Sequence, residues 1–436
     1  MNLKINPKKK ELEEILTLYK KKQFTKGEIK IKKLIDVYSK SFFLYNLLGV
    51  FLNEQNKFEE AVNSYKNAIK LKPDYSDAYY NLATIYKKTF KFKEAIQNYE
   101  ESLKRKPEDA HAYFNIGLMF GNLGKFDEAI NNLKKALKIN DHLPGVHFQL
   151  GIFFKKINRF EEATNSFNQT IRINPNHEGA HFNLGTVLEN LDKINDAVKE
   201  YQRVLKLNPD NSIAKHLLNS LNGKTTPKPP DDYVIDTFDY CADIFDYHLV
   251  QKLNYKIPQK IFKLVKKTYP RDHKFVKVLD LGCGTGLSGK IFKPFSKELT
   301  GIDLSNKMIE KAKSKKIYNN LEQIEILQFL NKTTKLYDLF LATDVFIYVG
   351  ELEKIFSKIL EKSTSNAKFC FSIEECKDKE FKLLQSARYA HSKKYIERIS
   401  QKYGFIIKNF LQTEIRNDKK KSIRGYIFIL EKRDKK

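Results

Sequence analysis

Tryptophan is absent from this 436-residue sequence, cysteine occurs only four times, and 53 Asp and Glu face 79 Lys and Arg. The cysteines, Cys241, Cys283, Cys370 and Cys376, have neither paired CxxC spacing nor the density of a secreted disulfide scaffold. That pattern excludes a small stapled domain and fits a reducing cytosol. An HExxH string and a Cys/His cluster are both missing, so no metal is expected. No uncharged run approaches the roughly 20 residues of a membrane span. Met1 to Lys10 lack the apolar core of a signal peptide, and a soluble cytoplasmic protein is the expectation.

What is present is ordinary for a packed protein: 41% hydrophobic and 30% charged residues, neither of them the composition of a disordered chain. The length exceeds what one hydrophobic core usually organises, so two or three domains are expected. A formal charge of +26 would favour acidic partners. Abundant Lys, Asn and Ile beside absent Trp also mark a compositionally biased genome, so nucleic acid is not the expected partner. The densest basic stretches, Lys8 to Lys10, Lys20 to Lys22 and Lys419 to Lys421, read as solvated, partly disordered ends.

The first half repeats with a period of 34 residues. Alanine recurs at Ala61, Ala95, Ala129, Ala163 and Ala197, a small residue at Gly49, Ala83, Gly117, Gly151 and Gly185, and proline at Pro73, Pro107, Pro175 and Pro209, with Asp141 in the vacant slot. Small residues suit the closest approach of two helices, and the prolines stop each second helix. The pattern resembles the tetratricopeptide repeat: a degenerate copy at 8–41, five repeats at 42–211 and a capping helix at 212–222, an all-α solenoid. Two residues before each small residue stand Leu47, Asn81, Asn115, Gln149 and Asn183. In tetratricopeptide arrays that row lines the groove, and the O-linked N-acetylglucosaminyltransferases use such a ladder to hold a polypeptide backbone. Asn81, Asn115, Gln149 and Asn183 therefore read either as a peptide groove, each amide offering a donor and an acceptor, or as the asparagine bias of the sequence. A protein or peptide partner is expected from the array.

Residues 223–231, within GKTTPKPPDD, hold three prolines and no apolar anchor, and predict a semi-rigid linker. An aromatic, acidic segment follows from Tyr233 to Tyr255. Its Phe238, Tyr240, Phe245 and Tyr247 either cover a ligand or pack onto the next domain.

From Val276 the string KVLDLGCGTG reads as a buried strand, a glycine turn and a helix start. Glycines let the chain turn sharply while its backbone approaches a ligand. Asp280, two residues before the first glycine, would repel a pyrophosphate and favour a cation. DxGxGxG here resembles motif I of the class I S-adenosylmethionine-dependent methyltransferases, carried by Asp280, Gly282, Gly284 and Gly286, and the resemblance places Cys283 between the glycines beside the cofactor. The resemblance covers 232–436 and implies S-adenosylmethionine as cofactor. It also implies a Rossmann-like, mostly parallel seven-stranded sheet ending in an antiparallel hairpin, behind the all-α solenoid. By the same resemblance Asp303 would hold the ribose hydroxyls, Leu304 and Met308 would flank the adenine, and Gln328 on the strand QIEILQF would stand nearest its amino group.

Acceptor-side candidates follow the later strands, since ligands in such sheets lie beyond the carboxyl ends: Asp344, Phe346 and Tyr348 after the fourth, and Glu374 and Glu375 at the end of the fifth. The string RYAHS resembles a bacterial group of repeat-containing predicted methyltransferases, carried by Arg388, Tyr389 and His391. His391 reads either as a general base, with Asp344 as the second catalytic candidate, or as a loop capping group. The acceptor stays open between a bound polypeptide and a small molecule, with a non-enzymatic repeat scaffold as the third reading.

Overall fold

The computed structural model describes residues 7–243, 245–269, 274–418 and 421–433. Lys419 and Lys420 of the expected basic turn, and Ile244 of the aromatic segment, lie outside the described residues. By its contacts the chain forms two compact units, Met1–Glu200 and Tyr201–Lys436.

The first unit is built from helix hairpins: α1 (Lys9–Lys20) with α2 (Phe24–Val37), α3 (Phe42–Glu54) with α4 (Phe58–Leu71), and α5 (Ser76–Lys88) with α6 (Phe92–Arg105). After these come α7 (Ala110–Asn122) with α8 (Phe126–Ile139), α9 (Val146–Lys156) with α10 (Phe160–Ile173), and α11 (Glu178–Asn190) with α12 (Ile194–Leu207). Lys9 and Lys10 open α1 and Lys20 closes it, so these lysines are helical where the sequence suggested disorder.

The small residues do what their spacing predicts. A Cβ on Gly49 would meet the Tyr65 ring at 2.5 Å, and one on Gly151 the Phe167 ring at 2.6 Å, so the hairpins close only around a bare backbone. The turns carry a second 34-residue signal. Lys22, Asn56, Phe90, Gly124, Asn158 and Asp192 all have positive φ, from 54° to 73°. After each of the last five, the following N–H reaches back to a helix carbonyl: Lys57 to Leu52, Lys91 to Tyr86, Lys125 to Phe120, Arg159 to Phe154 and Lys193 to Leu188, at 2.8–2.9 Å. This is the left-handed helix stop that satisfies end carbonyls.

The second unit takes in the end of α12, then α13 (Ser212–Leu221), α14 (Asp231–Cys241), the single turn α15 (Phe245–Tyr247) running into a π-helical stretch at His248–Lys252, and α16 (Ile257–Thr268). The sheet begins with β1 (Phe275–Leu281) and β2 (Ser296–Asp303), with α17 (Leu287–Phe292) between them. It continues through α18 (Asn306–Ser314), β3 (Asn320–Gln323), α19 (Ile326–Lys332), β4 (Tyr337–Ala342), α20 (Glu353–Glu361) and β5 (Ser363–Glu375). It ends with β6 (Phe381–Leu383), β7 (Tyr389–His391), α21 (Lys393–Lys402), β8 (Phe405–Asp418) and β9 (Lys421–Lys432).

Strands β3, β2, β1, β4 and β5 lie side by side and parallel. Strand β9 runs antiparallel between β5 and β8, the hairpin the sequence predicts. Two short strands were not expected: β7 extends the carboxyl end of β5 in parallel, and β6 pairs antiparallel with β7. Alternate residues feed two cores. Leu279, Phe340, Phe369 and Phe428 pack on one face and Val278, Leu339, Cys370 and Ile427 on the other, as expected of strands buried on both sides.

Candidate functional site

A cavity of about 510 Å³ opens beyond the carboxyl ends of β1, β2 and β4, the place where parallel α/β sheets bind ligands. Gly282, Cys283 and Gly284 form its floor. All three motif glycines have positive φ: Gly282 60°, Gly284 53° and Gly286 92°. A Cβ on Gly282 would lie 2.7 Å from Val345, and one on Gly286 3.1 Å from the Tyr318 ring, so only glycine fits the first and third of these positions. Gly286 then starts α17 without itself lining the cavity.

Asp303, the last residue of β2, lines the cavity beside Leu304. Its Oδ2 accepts from the Gly284 N–H at 2.9 Å and its Oδ1 from the Ser305 N–H at 2.9 Å, which ties the acidic residue to the glycine loop. Burial raises its pKa despite these donors. Asp280 is completely buried and reaches the Tyr318 hydroxyl, which donates to its Oδ2 at 2.7 Å, while Oδ1 has no hydrogen-bond partner. Burial, with the charge of Asp303 adding to it, pushes Asp280 up to about 7. Asp280 does not line the cavity and acts on it only through its field.

Two of the expected cofactor contacts are corrected. Met308 is fully buried in the helix core. Gln328 is exposed on α19, because β3 ends at Gln323 and the apolar string beyond it turns helical. The acid at this strand end is Glu325, which lines the cavity and caps α19 by accepting the Gln328 N–H at 2.8 Å. A capping pattern, Glu325 three residues ahead of Gln328 just before a helix, was the sequence signal for it.

On the opposite wall stand Asp344, Tyr348, Arg388 and Arg416. Asp344 holds a left-handed φ of 62°, a strained state for a non-glycine residue. Its N–H donates to Ser372 Oγ at 2.9 Å, and its carboxylate receives both bonds of Arg416 Nη1, at 2.7 and 2.9 Å. Arg416 Nη2 donates to Glu374 Oε1. Glu374 is therefore buried behind the wall as an orienting partner of Arg416, where the sequence suggested substrate contact. The Arg388 guanidinium stands near the Tyr348 hydroxyl, whose pKa burial raises. Arg416 and Tyr255, which also lines the cavity, were missed because their places on β8 and after the π-helical stretch carry no motif.

The remaining acceptor-side expectations are corrected by burial. Phe346 is a core residue, its ring 5.4 Å from Phe371. Tyr389 is buried, with its hydroxyl bonded to Thr226 at 2.7 Å. His391 sits in strand β7, not a loop. It is fully buried outside the cavity, its Nε2 bonded to the Gly350 carbonyl at 2.8 Å, and burial pushes it down to about 4. A group so placed cannot take a proton from an acceptor in the cavity.

The roof is the aromatic, acidic segment. Phe238 and Phe245 line the cavity, whereas Tyr240 and Tyr247 are exposed. Its aspartates clasp the strand-end loops: Asp246 accepts from Thr285 and from Lys315, Asp243 pairs with Lys311 at 2.8 Å, and Asp239 accepts from Ser305. The Pro-rich segment expected to be a semi-rigid linker is bonded along this unit. The Pro227 carbonyl accepts the Gly350 and Glu351 N–H groups at 3.0 and 2.8 Å, and Pro227 and Pro229 line the cavity.

In the first unit the carboxamide row links successive first helices. Asn81 donates to Asn46 at 3.0 Å, and Asn115 donates to the Tyr80 hydroxyl at 3.1 Å and accepts from Lys87 at 2.8 Å. Asn183 accepts from Lys155 at 2.8 Å, and Gln149 is half-buried. Asn115 is thus largely used within the array.

The sheet, glycine loop and strand-end acid together define a Rossmann-like methyltransferase domain, and the hairpins a tetratricopeptide solenoid. A methyltransferase-domain family model matches residues 272–423, and tetratricopeptide-repeat models match 51–89, 76–109, 110–143, 144–177 and 179–211. The chain is a tetratricopeptide-repeat protein carrying a methyltransferase domain. No curated protein matches the sequence.

Among solved structures, the chain is similar to YrrB, described as a TPR protein with an unusual peptide-binding site, at 22% identity and a TM-score of 0.40, over 43% of this chain and 96% of that one. It is also similar to the N-methyltransferase NodS from Bradyrhizobium japonicum WM9, solved with S-adenosyl-l-homocysteine, at 15% identity and a TM-score of 0.33, over 40% of this chain and 87% of that one. Among the described residues no helix is long and apolar enough to cross a membrane.

Proposed function

We propose that this protein transfers a methyl group from S-adenosylmethionine to an acceptor held against the Asp344 wall, and that its repeats bind a polypeptide, in the cytosol. The observation that carries the reading is the single cavity in which Gly282, Gly284, Asp303 and Glu325 meet Asp344, Tyr348 and Arg388.

The residues suit this donor. Asp303 keeps lone pairs for two ribose hydroxyls beyond its two backbone bonds, Glu325 offers an acceptor for an amino group, and the unpartnered Oδ1 of Asp280 favours a nearby cation. When bound, S-adenosylmethionine supplies a methyl group activated by its sulfonium. The protein's own part is alignment and exclusion of water by the Phe238 and Phe245 roof. Among the described lining residues there is no histidine, so an acceptor that needs no strong base, a sulfur or an amine, fits best.

Isothermal titration of S-adenosylmethionine and S-adenosylhomocysteine into the full chain tests this. Binding in roughly the micromolar range, lost in Asp303→Ala, is expected. No heat from folded protein with either ligand overturns the enzyme and leaves a repeat scaffold.

A small-molecule acceptor is the second reading, favoured by the roof residues Phe238 and Phe245 and by Pro227 and Pro229, which line the same cavity. Transfer of labelled methyl into a cell extract, separated by size, distinguishes the two: label in protein supports a polypeptide acceptor, label in small molecules the alternative.

A further inference from the structure

Arg388 lines the cavity, and the chain on either side of it is fixed in an unusual way. Ala387 before it is buried with a left-handed φ of 56°, a state that costs a residue with a Cβ and persists only where its surroundings enforce it. The Ala387 N–H donates to the Leu384 carbonyl at 3.0 Å, the Leu384 N–H to the Arg388 carbonyl at 2.8 Å, and His216 Nε2 reaches the Ala387 carbonyl at 3.3 Å. Tyr389 after it is buried, with its hydroxyl bonded to Thr226 at 2.7 Å. Its ring lies so close to Gly350 that a Cβ there would be 2.7 Å away. Two buried neighbours, one of them strained, leave Arg388 as the residue this turn presents to the cavity.

Apolar groups share this side of the cavity. The guanidinium stands near the Tyr348 hydroxyl, the Tyr348 ring is 5.1 Å from that of Phe238, and Pro227, Val349 and Ile355 are also in the lining. Of the other cations in the lining, Lys228 is paired with Asp231 at 3.1 Å, Arg416 with Asp344 and Glu374, and Lys354 is exposed, as is Glu351. A guanidinium carries five N–H donors and no acceptor, enough for more than one partner. What a ligand brings to it must therefore accept, and a carboxylate matches its planar fork with two oxygens. A phosphate, with up to two charges, calls for a second cation, and the others here are paired or exposed.

We propose that Arg388 determines acceptor specificity by binding the carboxylate of a small acceptor that has an apolar body. The proposal rests on the small-molecule reading of the methyltransferase cavity and names that acceptor's chemistry. The carboxylate is an anchor, separate from the sulfur or amine that takes the methyl group, and the Phe238 and Pro227 side receives the apolar body.

The experiment uses the full chain with phenylacetate, phenylacetamide and phenethylamine as probes, titrated by ligand-observed NMR with and without saturating S-adenosylhomocysteine. Phenylacetate is expected to bind about tenfold or more tightly than its amide. Arg388→Gln should abolish that preference and Arg388→Lys, which keeps the charge without the fork, should reduce it. Lys354→Gln, which removes an exposed charge of the same lining, should leave it intact. Circular dichroism confirms that each variant is folded, and Arg388→Lys against Lys354→Gln carries the comparison if Arg388→Gln is not. Equal binding of acid and amide, tightest binding of the amine, no binding of any probe, or a preference that survives in Arg388→Gln overturns the proposal. Binding of S-adenosylhomocysteine by the wild type is read separately: its failure overturns the methyltransferase reading itself, whereas donor binding without an acid preference overturns only the role of Arg388.

Discussion

Asp280 lies one layer beneath the site, and its chemistry is decided by what surrounds it. Full burial leaves the carboxyl protonated up to about pH 7, and the Tyr318 hydroxyl satisfies only one of its oxygens. Because its pKa is raised on folding, this proton stabilises the unliganded domain at low pH, and that contribution is lost as pH rises through about 7. A cationic donor does the opposite, favouring the ionised form. Affinity for S-adenosylmethionine is therefore expected to rise with pH through about 7 and then level, and Asp280→Asn to remove that rise. Titration calorimetry across that window checks it, and an unchanged pH profile in the variant would remove Asp280 from donor binding. At the same scale, Asp344 and Glu374 share one guanidinium, so this wall of the cavity is set by a buried charge cluster and not by the histidine of the RYAHS string.

Among the elements, the hairpin turns show how a repeat tolerates poor local chemistry. The left-handed stop recurs every 34 residues and is filled by asparagine, aspartate or glycine at four positions, by Lys22 in the degenerate first copy and by Phe90 in the second complete repeat. Phe90 is 79% exposed and its φ is 58°, a conformation that costs a residue with a bulky Cβ about 1–2 kcal/mol. Phe90→Gly is expected to raise stability by about 0.5–1 kcal/mol, the gain being reduced by the freer unfolded chain. Urea unfolding followed by circular dichroism measures it, and a loss of stability would mean that the Phe90 contact with Phe92, rings 6.0 Å apart, outweighs the strain.

At the scale of the whole molecule, the stretch between repeats and sheet belongs to the second unit. His216 of α13 reaches the Ala387 carbonyl at 3.3 Å, and Thr226 and Pro227 are bonded to Tyr389, Gly350 and Glu351. A fragment covering 212–436 is therefore expected to bind S-adenosylhomocysteine as the full chain does. A fragment covering 232–436, without the Pro227 and Pro229 wall, should bind several-fold more weakly and melt lower. Calorimetry and thermal melts of the two fragments check this, and equal behaviour would return residues 223–231 to the role of a plain spacer.

The period of 34, the helix hairpins, the glycine loop with its following acid at Asp303 and the closing antiparallel hairpin were legible in the sequence, because each depends on spacing or on a backbone state that few residues allow. Glu325 and the left-handed turn residues were equally local and would have been found from capping chemistry. What the tertiary structure alone decided is which side chains reach the cavity. Met308, Phe346, Tyr389 and His391 have the residue types of a site, but their elements turn them into a core. Arg416, Tyr255 and the Pro227 wall come from segments far apart in the chain. Sequence spacing specifies the local direction of a side chain, whereas its depth depends on every layer packed over it, and that depth settles whether a polar group is a ligand, a partner to a buried charge or a neutral piece of the interior.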